Sequence, residues 1–174
     1  MEFSIIVAMD KNWGIGKRGQ LPWHVSADMK HFAEITKQID QPDRQNAVIM
    51  GRKTWESLPD KYKPLPGRVN VVLTRDNAYE THSLVVKANS LDEALKIAAQ
   101  MKVEKVFVIG GGQIFEHAIA HPNCRKLYVT EVQHTFDCDT FFPVIHPERF
   151  KKEYESEIFE EQGLRFRFVE YLPR

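Results

Sequence analysis

The chain has 174 residues, 43% hydrophobic and 28% charged, which fits one globular domain over residues 1–174 with a substantial core and argues against a disordered or multidomain chain. Lys plus Arg and Asp plus Glu both number 24, so the formal net charge is zero and no global field exists to hold nucleic acid or an anionic membrane. The two cysteines, Cys124 and Cys138, are too few for a disulfide framework and have no metal-type spacing to histidine, so both read as reduced thiols and no metal site is expected.

The apolar run Phe3–Met9 is too short to span a bilayer, and Glu2 stands where a secretory signal needs a positive flank, so a soluble, cytoplasmic protein is expected. This run reads as the first strand. A helical pattern begins at Ser26, taken as N-cap, with Met29, Phe32, Ala33 and Thr36 at helical spacing. The strand Ala47–Met50 leads through Gly51 into a second helix, and the Pro-rich piece Pro59–Gly67 is a loop. Strands Val69–Thr74 and Leu84–Val86 follow, then a helix opened by the capping box Ser90-Leu91-Asp92-Glu93. The strand Val106–Ile109 enters a fourth helix after Gly112, and strands Leu127–Val132, Tyr154–Phe159 and Leu164–Leu172 complete the chain. The first six strands are nearly unbroken Val, Ile, Leu and Phe, as in strands covered on both faces of a mainly parallel sheet. The last alternates from Leu164 to Phe168 and pairs antiparallel with its predecessor through Gly163. The expectation is an α/β fold, a mainly parallel sheet with four flanking helices and a C-terminal antiparallel hairpin.

Gly14-Ile15-Gly16-Lys17-Arg18-Gly19 matches the dinucleotide-binding pattern G-x-G-x-x-G, but Gln20-Leu21-Pro22-Trp23 follows and Pro22 stops a helix from running through. A flexible loop, with Trp13 and Leu21 able to close over a ligand, is the better reading. Phosphate-binding turns are found elsewhere, where strands run into helices at Gly51-Arg52-Lys53-Thr54 and Gly110-Gly111-Gly112-Gln113. Arg75 adds charge at the end of a third strand. Two such turns at strand C-terminal ends imply a nucleotide with several phosphates. Asp28 shares a helix face with Phe32 and Ile35; a carboxylate in apolar surroundings is a candidate for handling protons or anchoring a ligand, although a helix start also favours Asp through the dipole alone. His24, His31, His117 and His134 form no ligand spacing and are expected at the surface.

Several of these motifs, in order, resemble dihydrofolate reductase: Ile15-Gly16, Leu21-Pro22-Trp23 with Asp28, Val48 to Trp55, Leu65-Pro66-Gly67-Arg68, Ile109 to Gly112, Tyr128-Val129-Thr130 and Asp139 to Pro143. The resemblance covers nearly the whole chain. It implies an eight-stranded mixed sheet and NADPH-dependent reduction of dihydrofolate to tetrahydrofolate, in an antifolate-sensitive enzyme that is a monomer by default. It places Asp28 in the pterin pocket with Thr130 assisting, Ile6, Val7, Ala8, Met29, Phe32, Leu58 and Ile109 around it, and Arg68 on the substrate α-carboxylate. Leu21 and Trp23 belong to the catalytic loop, which runs from Asp10 to Trp23. The cofactor positions implied are Ala8, Ile15, Gly16, Gly51, Arg52, Lys53, Thr54, Leu73, Thr74, Arg75, Lys87 and the run Ile109, Gly110, Gly111, Gly112, Gln113, Ile114, Phe115. Gln113 stands where some relatives are basic, so charge for the 2′-phosphate falls mainly to Arg52 and Arg75, with Lys53 or Lys87 as further sources. The loop Pro59–Pro64 is longer than in compact bacterial relatives. A riboflavin-pathway reductase and a catalytically silent nucleotide-binding module are the alternatives; Asp28 and Arg68 favour the folate reading.

Overall fold

A computed structural model describes residues 1–174. Its main sheet is built around β1 (Phe3–Met9), whose side chains are almost all buried because helices cover both faces. Parallel neighbours follow on either side: β6 (Val106–Gly110) and β7 (Cys124–Val132), then β3 (Asn46–Gly51), β4 (Arg68–Leu73) and β5 (Val86–Ala88) outward from β6. Beyond β7 lies β11 (Leu164–Pro173), antiparallel to it. With β10 (Phe159–Glu161) outside β11, the order across the sheet is β10-β11-β7-β1-β6-β3-β4-β5, eight positions with a mixed, mainly parallel sense. The helices are α1 (Ser26–Lys37), α2 (Arg52–Ser57), α3 (Leu91–Gln100) and α4 (Gly112–Ala120). No helix is long and apolar enough to cross a membrane.

The expected strand Tyr154–Phe159 is two strands, β9 (Phe150–Glu155) and β10 (Phe159–Glu161), which share the outer edge of β11. The break has a local cause. The Ser156 hydroxyl accepts the Phe168 N–H at 2.8 Å, so a side chain replaces a rung of the ladder. The expected strand Leu84–Val86 lies two residues later, as β5, because the His82 ring accepts the Leu84 N–H and the Val85 N–H bonds the His82 carbonyl, holding 82–85 in a turn. A two-stranded ribbon of β2 (Gly14–Gly16) and β8 (Thr140–Phe141) has no counterpart among the expected elements. Within the Pro-rich loop, Asp60–Tyr62 forms one turn of 3₁₀ helix.

The helix starts differ in how their free N–H groups are satisfied. At α3, Ser90 accepts the Glu93 N–H at 3.1 Å as the capping box requires, and the Glu93 carboxylate takes the N–H of Asn89. At α1, Ser26 is not the cap: Val25 is, in extended conformation, and it offers no side-chain acceptor. The core lies on both sheet faces. Leu127 is completely buried in the largest of its three apolar clusters, so Leu127→Ala should lower unfolding stability by about 2–5 kcal/mol in denaturant titrations.

Candidate active site

Near the C-terminal ends of β1 and β7, alternation of side chains decides which residues face α1. Ile6 packs with Phe32, Ile35 and Leu58 on one face, whereas Val7 belongs to the core on the opposite face. Val7 therefore does not present its side chain with Ile6 as expected from the sequence. The Thr130 hydroxyl of β7 donates to Asp28 Oδ1 at 2.6 Å, joining α1 to the sheet across the pocket. Burial pushes the Asp28 carboxyl above the usual carboxylate range, opposed more weakly by that hydrogen bond. A carboxyl so placed can bind a paired N–H donor set and bias protonation nearby.

Two helical turns further along the same face, Thr36 lies next to Arg68. The Arg68 side chain is 8% exposed; its Nη1 donates to Thr36 Oγ1 and its Nε to the Pro66 carbonyl, both at 2.9 Å. Its guanidinium lies 5.9 Å from the Phe32 ring centroid, and none of the ion pairs includes it. Burial lowers its pKa, the signature of a cation without an acidic partner. Asp28 and Thr36 are eight residues apart, roughly 12 Å along the axis at 1.5 Å per residue. The face suits an elongated ligand, with hydrogen-bond donors at one end and a carboxylate at the other.

The two glycine turns are neighbours because β3 and β6 pair, with Met50 opposite Gly110. Gly110 has φ +144, a conformation that L side chains rarely adopt, and a Cβ there would sit 3.2 Å from Thr54 Oγ1; at Gly111 the same hydroxyl would be 3.4 Å away. A Cβ at Gly51 would meet Ile114 Cγ1 at 3.2 Å. Thr54 of α2 thus lies against the turn that opens α4, and the starts of both helices converge on one place. Arg52 beside them stacks 4.1 Å from the Tyr79 ring centroid, with its Nε 2.8 Å from Glu56 and Nη1 3.7 Å from Asp76. Glu56 also accepts the Tyr79 hydroxyl. Lys53, Arg75 and Gln113 are exposed, while Lys87 donates to the carbonyls of Asn77 and Tyr79 and so serves its own loop. Leu73 and Phe115 are buried in the core, Ile114 and Ile109 pack at its edge, and Thr74 is half-buried.

The loop Asp10–Trp23 lies over this end of the sheet. Asp10 accepts the N–H groups of Asn12, Gly14 and Phe136, and Asp139 accepts that of Arg18, so the loop is pinned to the segment before β8. Gly14 is required there: a Cβ would lie 2.4 Å from Cys138 Sγ. No helix follows Gly19, as Pro22 demands. Trp23 is buried with its indole N–H lacking an acceptor within the protein, whereas Leu21 and Met29 are about half exposed, at 49% and 48%. Ile15 packs at the core edge and Ala8 against the Trp23 cluster. Among the histidines, His31 departs from expectation: it stacks on Phe168 with centroids 3.8 Å apart. Tyr79, Glu56 and Asp10 were not singled out in the sequence. An i,i+4 spacing could have paired Glu56 with Arg52; Tyr79 and the Asp10 contacts carry no local signal.

Comparison with known proteins gives a consistent picture. The family model described as dihydrofolate reductase matches residues 2–172. Dihydrofolate reductase of Drosophila melanogaster is 39% identical over 97% of this chain and 96% of its own length, and that of Heliothis virescens is 44% identical over 91% and 88%. The bifunctional dihydrofolate reductase-thymidylate synthase of Glycine max is 44% identical over 98% of this chain and 33% of its own length. The chain spans about a third of the length of such bifunctional plant relatives.

Proposed function

The chain belongs to the dihydrofolate reductase family, and on that premise we propose that it reduces 7,8-dihydrofolate to 5,6,7,8-tetrahydrofolate with NADPH. The single observation that carries the reading is one helix face holding two polar anchors: Asp28 bonded to Thr130 at one end, and the buried, unpaired Arg68 bonded to Thr36 at the other. Asp28 accepts the 2-amino and N3 hydrogens of the pterin and fixes the heterocycle's orientation, with Thr130 holding the carboxylate in place. Ile6, Ala8, Phe32, Leu58 and Ile109 exclude water from the ring, and Arg68 grips the α-carboxylate through its free N–H groups. The negative field of Asp28 favours protonation at N5, by a proton that arrives through water.

The residues present fit a nicotinamide dinucleotide, because the converging glycine turns leave backbone room that a Cβ would fill. Gly51, Thr54, Gly110, Gly111 and Gly112 would hold its pyrophosphate, and Arg52, Lys53 and Arg75 the additional phosphate of NADPH. When bound, that cofactor supplies the hydride. The loop Asp10–Trp23, with Ile15, Gly16, Leu21 and Trp23, covers the reacting end and shuts out solvent. The domain works as a unit over residues 1–174, which the continuous sheet supports, and as a cytoplasmic monomer open to antifolates.

Arg52→Gln should weaken NADPH binding about tenfold while changing NADH by less than about twofold, since only NADPH carries the extra phosphate. Fluorescence titration of both cofactors checks it, and equal losses would return Arg52 to its Glu56 pair alone.

A further inference from the structure

The first turn of α1 carries Asp28, yet the local sequence leaves that turn uncapped. Val25, at the N-cap, has no acceptor on its side chain, and every helix start must satisfy its free N–H groups. The partner comes from 135 residues away: Glu161, the last residue of β10, accepts the Ser26 N–H at 2.7 Å and the Ala27 N–H at 3.1 Å. The next two N–H groups, of Asp28 and Met29, both reach the Val25 carbonyl at 3.1 Å. The N–H groups of residues 26–29 thus all have an acceptor. The other end of α1 is anchored separately, by the Asn46 side chain donating to the carbonyls of Thr36 and Gln38 at 2.9 and 2.8 Å. Glu161 thus controls only the end that holds Asp28.

We propose that Glu161, reaching from the C-terminal hairpin, is a positioning residue for Asp28, fixing the first turn of α1 so that the carboxylate meets Thr130 and the pterin. The inference rests on the folate reading of the site. It makes the C-terminal strand pair a part of the catalytic apparatus although it contributes nothing that touches substrate. Losing the carboxylate frees two backbone donors at that turn, lets residues 26–28 fray and misplaces Asp28, while the Thr36–Arg68 end stays held.

The test compares the full-length parent with Glu161→Ala and Glu161→Gln, and with Glu160→Gln on the exposed neighbour as control. Glu161→Ala should slow single-turnover hydride transfer about tenfold and leave NADPH affinity within about twofold, and the amide keeping one acceptor oxygen should restore part of the rate. Glu160→Gln should match the parent. Hydrogen exchange at the Ser26 and Ala27 amides should accelerate about tenfold in Glu161→Ala, a reading that needs no turnover. Should Glu161→Ala fail to fold, Glu161→Gln carries the same comparison. A parent-like transfer rate in both variants, or unchanged amide exchange, overturns the proposal. A parent that does not reduce dihydrofolate while the exchange result holds overturns the folate reading instead.

Discussion

Asp28→Asn should slow hydride transfer at neutral pH by about a hundredfold, with NADPH binding and the fold preserved. The amide keeps an oxygen for the Thr130 hydroxyl but cannot accept two pterin hydrogens or supply negative charge beside N5. Part of the loss should return as pH falls, because solvent acid then delivers substrate already protonated. Stability should move the opposite way. Burial raises the Asp28 pKa in the folded state, so the native protein binds this proton more tightly than the unfolded chain does. The group therefore costs stability as pH rises through and above the window between its unfolded and folded values, and the neutral amide removes that cost. Thermal unfolding at neutral pH should find Asp28→Asn at least as stable as the parent. A helix-dipole role alone predicts the reverse pattern: turnover kept, and stability lowered by about 1 kcal/mol or less. Single-turnover rates and melting curves across pH separate the two.

Arg68→Leu should raise KM for dihydrofolate about a hundredfold, by loss of charge-assisted hydrogen bonds worth about 2–3 kcal/mol. NADPH affinity should be unchanged, because the Arg68 side chain is directed to Thr36 and Pro66 and away from the glycine turns. Stability should not fall. A guanidinium buried without an acidic partner is costly to desolvate, and Leu fills the space against Phe32 without that cost. A substrate analogue lacking the glutamyl group tests the contact directly: parent and variant should then reduce it with similar KM. If Arg68→Leu bound glutamyl-bearing and glutamyl-free substrates with the same ratio as the parent, Arg68 would be a packing residue.

The strands buried on both faces were the most legible part of the sequence. β1 has the bounds read from its unbroken apolar run, and β3, β4 and β6 lie within a residue of theirs, because burial leaves no polar alternation to blur the edges. Where the chain reaches the surface, ends are set by individual hydrogen bonds instead. The His82 turn delays β5 and the Ser156 hydroxyl splits the outer strand, and neither shows as a pattern. The Asp28 face was readable from helical spacing together with Phe32 and Ile35. Val7 was not separable from it, since the resemblance names positions while side-chain direction depends on the pleat of the strand. The β2–β8 ribbon and the Glu161 cap join distant segments by backbone groups, which carry no residue-type signal. In the phosphate region the sequence showed the cations Arg52 and Lys87 but not their engagement. Glu56 and Asp76 accompany Arg52, and Lys87 is spent on loop carbonyls. Arg75, exposed and outside these pairs, remains available to a phosphate.

Reduction of dihydrofolate is read from the absorbance of NADPH followed with purified protein, first alone and then after adding 7,8-dihydrofolate. A stable signal is expected without dihydrofolate, and its loss, in proportion to tetrahydrofolate formed, once dihydrofolate is present. A protein that binds NADPH yet leaves the signal unchanged with saturating dihydrofolate would contradict it.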